Sequence, residues 1–248
     1  MTGLPPKSGT GTPLIKARQL ALDLDRQPEF ALEDYITGPA NAQAFALVTS
    51  WPDWPHPIVL IHGAPASGKS HLARIWSRQS GAVGIDAGAI GNVLPQLVSA
   101  GGQGRAHLVE DIDRPGEGGP LDKDGLFHLI NHTIETGGTL LVTAREPAAH
   151  LAIDLPDLAS RLRAAGAAPI HQPDGDLLES LLVKLFADRQ IDVPPQVTIF
   201  AAGRMERSFA AAATLVETVD RMALEQGRRI TIPLLRRYFD QSEGRDRA

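Results

Sequence analysis

The residues best suited to chemistry are Lys69 and Ser70, at the end of Gly63-Ala64-Pro65-Ala66-Ser67-Gly68-Lys69-Ser70. This run fits G-x-x-x-x-G-K-[ST], the phosphate-binding loop, at every fixed position. The lysine brings a cation to the β and γ phosphates, and the serine hydroxyl can ligate Mg²⁺. Gly63 and Gly68 let the backbone curl so that its N–H groups point at phosphate oxygens. A helix starting at Lys69, with His71 in its first turn, adds partial positive charge at its N-terminus. The flanks agree. Pro57 to His62 is a short apolar run that reads as a buried strand. Lys69 to Ser80 carries Leu72, Ala73, Ile75 and Trp76 at helical spacing. The pattern implies a nucleotide site that uses Mg²⁺.

A second chemical signal lies downstream. Ala106 to Asp111 reads as a strand ending in Glu110 and Asp111, with Asp113 close behind. Acids at a strand end, after a phosphate loop, suit a metal and water site in which one carboxylate holds Mg²⁺ and another polarises water. On residue type alone they could equally close a strand that enters the loop Arg114 to Pro120.

These groups need a scaffold, and the chain can supply one. Its 248 residues allow one large domain or two modest ones, and its 43% apolar content is ample for a core. The net charge of −5 argues against a general polyanion-binding surface. Cysteine is absent, which removes disulfides, zinc–thiolate sites and thiol catalysis. No apolar run is long enough for a membrane span and the start does not resemble a signal peptide, so a cytoplasmic protein without membrane contact is expected.

Residues 1–29 read as a flexible tail rich in Gly and Pro. Within it, Gln19, Leu20, Leu22 and Leu24 form a polar anchor with alternating leucines, which fits either an edge strand or an exposed docking peptide. Residues 30–172 alternate strands and helices. Strand candidates are 57–62, 82–86, 106–111, 139–143 and 169–171, which predicts a parallel sheet covered on both faces. Helices are expected over 41–50, 90–100, 122–136 and 157–163. Residues 173–248 are helical only, with Asp174, Ser208 and Thr231 as N-caps. Stripes at Leu177, Leu178, Leu181, Leu182, Leu185 and Phe186, and at Phe209, Ala212, Leu215, Val216, Val219 and Met222, predict a small bundle packed on the first domain as a lid.

A phosphate-loop α/β domain followed by a helical lid resembles the AAA+ ATPases. The segment Asp34-Tyr35-Ile36-Thr37-Gly38-Pro39-Ala40-Asn41 resembles the one that lines the adenine pocket in the replication initiator DnaA, which implies that Ile36 and Asn41 contact the base. Leu155 to Leu162 resembles the stretch that carries an inter-subunit arginine, here Arg161. Arg207 stands where the family has its lid arginine, which implies a contact with the bound phosphates, and residues 227–233 resemble the approach to the last lid helix. The plan lacks the initiator's DNA-binding domain and is similar to the Hda branch of the DnaA/Hda group. Members of that branch carry an N-terminal clamp-binding peptide of the form seen at Gln19 to Leu24.

The resemblance implies a P-loop AAA+ core with a five-stranded parallel sheet and a helical lid, binding ADP or ATP with Mg²⁺. It implies two partners, DnaA and the sliding clamp of the replicative polymerase, and no sequence-specific DNA contact. Arg161 would enter DnaA's nucleotide site and promote its hydrolysis, or in a homodimer reach a second copy. On residue type alone it could also pair with Asp157 along its helix. Two departures imply weak intrinsic hydrolysis: Glu110 replaces the usual first acid, and Thr143-Ala144-Arg145 replaces Thr-Ser-Asp. The competing expectations are a stand-alone AAA+ ATPase, such as a helicase loader, and a DNA-binding initiator relic.

Overall fold

The structure is a computed structural model that describes Leu32, residues 35–99 and residues 104–245. The Gln19–Leu24 peptide and Asp34 lie outside the described residues. The first part of the chain runs α1 (Ala42–Thr49), β1 (Ile58–Gly63), α2 (Lys69–Ser80), β2 (Val83–Ile85), α3 (Ile90–Ser99), β3 (Ala106–Val109), α4 (Lys123–Glu135), β4 (Thr139–Ala144), α5 (Pro156–Ala164) and β5 (Gly166–Ile170). The second part is helical: α6 (Gly175–Asp188), α7 (Pro195–Ala202), α8 (Phe209–Gln226) and α9 (Ile232–Arg245).

Alternation along β1 explains the layers. Side chains on a strand point to opposite faces in turn. Ile58 and Leu60 join one buried cluster with Leu126, Leu129 and Ile130 of α4 and Leu158 and Leu162 of α5. Val59 and Ile61 join the other, with Ala44 and Val48 of α1 and Leu72, Ala73 and Trp76 of α2. Both faces are therefore covered, as a parallel sheet requires. The strand order is β2-β3-β4-β1-β5, and every pairing is parallel. The order reverses beside β1, so its carboxyl end opens into the crevice where such sheets bind ligands.

Two strands differ from expectation. The third ends at Val109, so Glu110 and Asp111 follow it instead of closing it. Asp111 has φ 51, a turn that a strand does not make. The fifth begins at Gly166, not Pro169. Residues Gly166 to Ala168 carry little local strand signal, yet their backbone pairs with Val59 to Ile61. Tertiary pairing decides the matter there. Helix α3 also runs through Pro95.

The lid has its own core, with Leu178, Leu182 and Phe186 of α6 against Val197, Leu215, Val216, Val219 and Leu235. Its caps are as expected at two helices. Asp174 Oδ1 accepts from Leu177 N at 2.8 Å, and Ser208 Oγ accepts from Ala211 N at 3.1 Å. Gly227 closes α8 in the left-handed region, φ 59. Among the described residues no helix is long and apolar enough to cross a membrane.

Candidate functional site

The loop between β1 and α2 is held by two different devices. Gly68 (φ 96) and Ala66 (φ 57) make the left-handed turns that aim the backbone inward. Gly63 has another task. A Cβ there would lie 2.3 Å from the Ile170 carbonyl oxygen, so only glycine lets β1 and β5 approach at the loop mouth. Lys69 is 5% exposed, and its Nζ donates to the Gly63 and Ala64 carbonyls at 2.8 and 2.9 Å. Burial pulls its pKa below the ordinary lysine value, and Asp111 and Asp113 pull it back up. The ammonium stands at the start of the loop, where a phosphate-binding lysine belongs.

The loop faces a cleft of about 400 Å³ between core and lid. Pro65, Ala66, Gly68, Lys69, Ser70 and His71 form its floor. Tyr35 and Ile36 form one end. Tyr35 stacks on Phe45 and meets the His71 ring edge-on at 5.3 Å. Burial pushes its hydroxyl pKa up to about 12, so the group remains a donor throughout the physiological range. The lid closes the cleft with Leu181 and Leu185 of α6 and Phe209, Ala210 and Ala213 of α8.

Asp111 is placed by Thr143. Its backbone N–H donates to Thr143 Oγ1 at 2.9 Å, while Ile112 N–H donates to the Thr143 carbonyl at 3.0 Å. The buried threonine ties the ends of β3 and β4 together. Asp113 caps the next turn, its Oδ2 accepting from Arg145 N and Glu146 N at 2.7 and 3.1 Å. Beside the cleft, Glu110 lines a second cavity of about 430 Å³ with Asp86 and Gly116; Asp111 and Arg114 border both.

The structure thus brings Pro65, Ala66, Gly68, Lys69, Ser70, His71, Ile36 and Asp111 to one cleft, and the remaining named residues that it describes do not line it. Gly63, Ala64 and Ser67 belong to the loop but do not line the cleft. Asn41 is 1% exposed and braces residues 36–41, accepting from Gly38 N at 2.8 Å and donating to the Ile36 carbonyl at 3.0 Å. Glu110 turns to the adjoining cavity because Asp111 bends the chain between them. Arg207 is exposed just before α8 and is not part of the cleft wall. Arg161 is exposed on α5. Its guanidinium lies 5.4 Å from the Phe127 ring centre. No ion pair joins it to Asp157 among the described residues.

Sequence reasoning missed Arg114 and Arg145, which line the cleft, and read Leu181, Leu185 and Phe209 as lid core. A helical stripe shows only that a face is apolar, not whether it meets a core or a ligand.

A Mg²⁺ fits the donors at hand. Ser70 and Asp111 offer one hydroxyl and one carboxylate, a sparse set suited to an ion that keeps water and phosphate as most of its ligands. Among the described residues no group of three or more His, Cys, Asp or Glu could hold a metal unaided.

Comparison with known proteins completes the description. Residues 178–239 match the family described as Hda, lid domain. Domain III of the Thermotoga maritima replication initiation protein DnaA superposes with TM-score 0.69 at 18% identity, over 84% of this chain and 94% of that one. AMPPCP-bound DnaA from Aquifex aeolicus superposes with TM-score 0.62 at 14% identity, over 78% of this chain and 65% of that one. A Thermotoga maritima RuvB mutant gives 0.66 at 15%, over 85% and 72%. The chain thus shares its P-loop α/β fold with these proteins, and its residues 178–239 match the Hda lid-domain family.

Proposed function

We propose that this chain is a nucleotide-holding regulator of replication initiation. It binds the sliding clamp through Gln19 to Leu24 and engages DnaA. There it stimulates hydrolysis of DnaA's ATP, which lowers initiation. The nucleotide in its own cleft, ADP or ATP with Mg²⁺ on Ser70 and Asp111, sets the conformation of core and lid. The chain's relation to DnaA supports the choice of partner.

The observation that carries the reading is the separation of Arg161 from its own cleft. Lys69 serves the nucleotide held in cis. Arg161 is exposed on α5, with its guanidinium over the Phe127 ring and no ion pair to Asp157 among the described residues. Leu158 and Leu162, buried in the core beneath α5, fix the helix that presents it. A guanidinium so displayed can enter a neighbour's nucleotide site and stabilise charge on the transferring phosphoryl group, an effect worth about 10³–10⁵ in rate.

The test is DnaA–ATP hydrolysis assayed with clamp loaded on DNA. Arg161→Ala should lower the stimulation by about a thousandfold and leave the melting temperature unchanged. Full stimulation by the variant would overturn the assignment.

A further inference from the structure

The nucleotide cleft has an uneven charge. Its walls carry three cations, Lys69, Arg114 and Arg145, and one carboxylate, Asp111. Two further acids act on Lys69 from outside the walls: Asp113, which accepts from the Arg145 and Glu146 amides, and Glu110, which lines the second cavity. Arg114 and Arg145 form no ion pair among the described residues. Arg145 also acts against Lys69, since its charge lowers the lysine's pKa. Two cations on one wall of a cleft are stabilised by an anion bound between them.

Their positions say which part of a nucleotide that is. Ala144 pairs with His62, the residue before Gly63, so Arg145 comes level with the start of the loop. Lys69 Nζ is held at the same place, on the Gly63 and Ala64 carbonyls. The outer phosphate of a nucleoside diphosphate would lie between lysine and guanidinium. A guanidinium binds phosphate through two parallel N–H···O bonds, which a lysine cannot do.

We propose that Arg145, with Arg114 beside it, neutralises the phosphates of the bound nucleotide, so that the protein retains a nucleoside diphosphate when Mg²⁺ is withdrawn. The inference rests on the reading that this cleft holds nucleotide. Arg145 here is a binding residue whose charge does part of what a divalent ion does. Its backbone is fixed by Asp113, so the guanidinium is presented from a rigid strand end and not from the lid.

The test is ADP binding by calorimetry, in Mg²⁺ and in EDTA, for the wild type, Arg145→Ala and Arg145→Lys. The wild type should bind ADP in EDTA within about threefold of its affinity in Mg²⁺. Arg145→Ala should lose about tenfold or more in EDTA, the worth of a charge-assisted pair, and recover most of that loss in Mg²⁺. Arg145→Lys should fall between them. A wild type that releases ADP in EDTA, or an Arg145→Ala variant that matches the wild type there, would overturn the proposal. A wild type that binds no ADP even in Mg²⁺ would instead remove the nucleotide reading on which it rests. Melting temperatures of the three proteins separate a folding defect from a binding one.

Discussion

The two walls of the cleft are built on opposite principles. The core wall is polar and fixed by backbone. Gly68 and Ala66 are held in left-handed conformations, Asp111 is pinned by Thr143, and Lys69 is clamped to two carbonyls. The lid wall is apolar, formed by Leu181, Leu185, Phe209, Ala210 and Ala213. The charges are thus on one side only. On the proposed reading, phosphate recognition is preorganised in the core and needs no lid movement, whereas the lid adds contact area for the less polar end of a ligand. Such a lid can tilt without breaking a phosphate contact, so its position can report occupancy of the cleft.

The largest expected effect comes from disturbing the rigid wall. Gly63→Ala would set a methyl group 2.3 Å from the Ile170 carbonyl and 3.0 Å from Ser67 Oγ. Neither β1 nor β5 can yield without breaking its ladder, so the cost should be about 2–3 kcal/mol. The matching change in the lid, Gly175→Ala, meets no atom within 4 Å. It should leave stability within about 0.5 kcal/mol. Denaturant midpoints at constant slope measure both. Equal costs would mean that the core wall is no stiffer than the lid.

A smaller effect tests the apolar wall. Leu181 and Leu185 are half-buried and face the cleft. Truncating either to alanine removes about 1 kcal/mol of apolar contact from a bound ligand, about fivefold in ADP affinity. Arg207→Ala should change that affinity less than twofold, because the exposed side chain stands outside the wall. A tenfold loss on Arg207→Ala would put charge on the lid side and end the contrast between the walls. Calorimetry at one ionic strength gives all three numbers.

How much of this was legible in the sequence follows from where the information resides. The loop at Gly63 to Ser70 is local, so eight consecutive residues announce it. The role of Gly63 is not local. It depends on Ile170, more than a hundred residues away, and nothing near Gly63 reveals a clearance problem. Glu110 and Asp111 look equivalent as neighbours, yet with the φ 51 turn at Asp111 only Asp111 reaches the main cleft, while both line the second cavity. Arg145 reads as an altered strand end until pairing of β1 with β4 brings it level with Lys69. The fifth strand is nearly silent in sequence because its Gly and Ala residues pair by backbone alone. Local motifs therefore point to a chemistry, and strand pairing decides which charges line the cleft.

The smallest effect separates the walls by pH. All eight histidines precede residue 172, so between pH 5 and 8 histidine titration acts on the core and not on the lid. His107 on β3 is 2% exposed, and neither ring nitrogen has a hydrogen-bond partner. Burial, with His132 and Arg105 nearby, holds its pKa below the ordinary histidine value. The folded state therefore binds its proton less readily than the unfolded chain does. Stability from this group is full above the unfolded pKa of about 6.5. It falls as pH drops from there toward the depressed folded value, with a limiting slope of about 1.4 kcal/mol per pH unit. His62 is shifted the same way, chiefly by burial and by His171, and adds a slope of its own. Unfolding free energies at pH 7.5 and 5.5 should thus differ by about 1 kcal/mol more in the wild type than in His107→Leu. Parallel curves for the two proteins would show that His107 finds a proton acceptor on charging, and that the core wall is less rigid at β3 than at the loop.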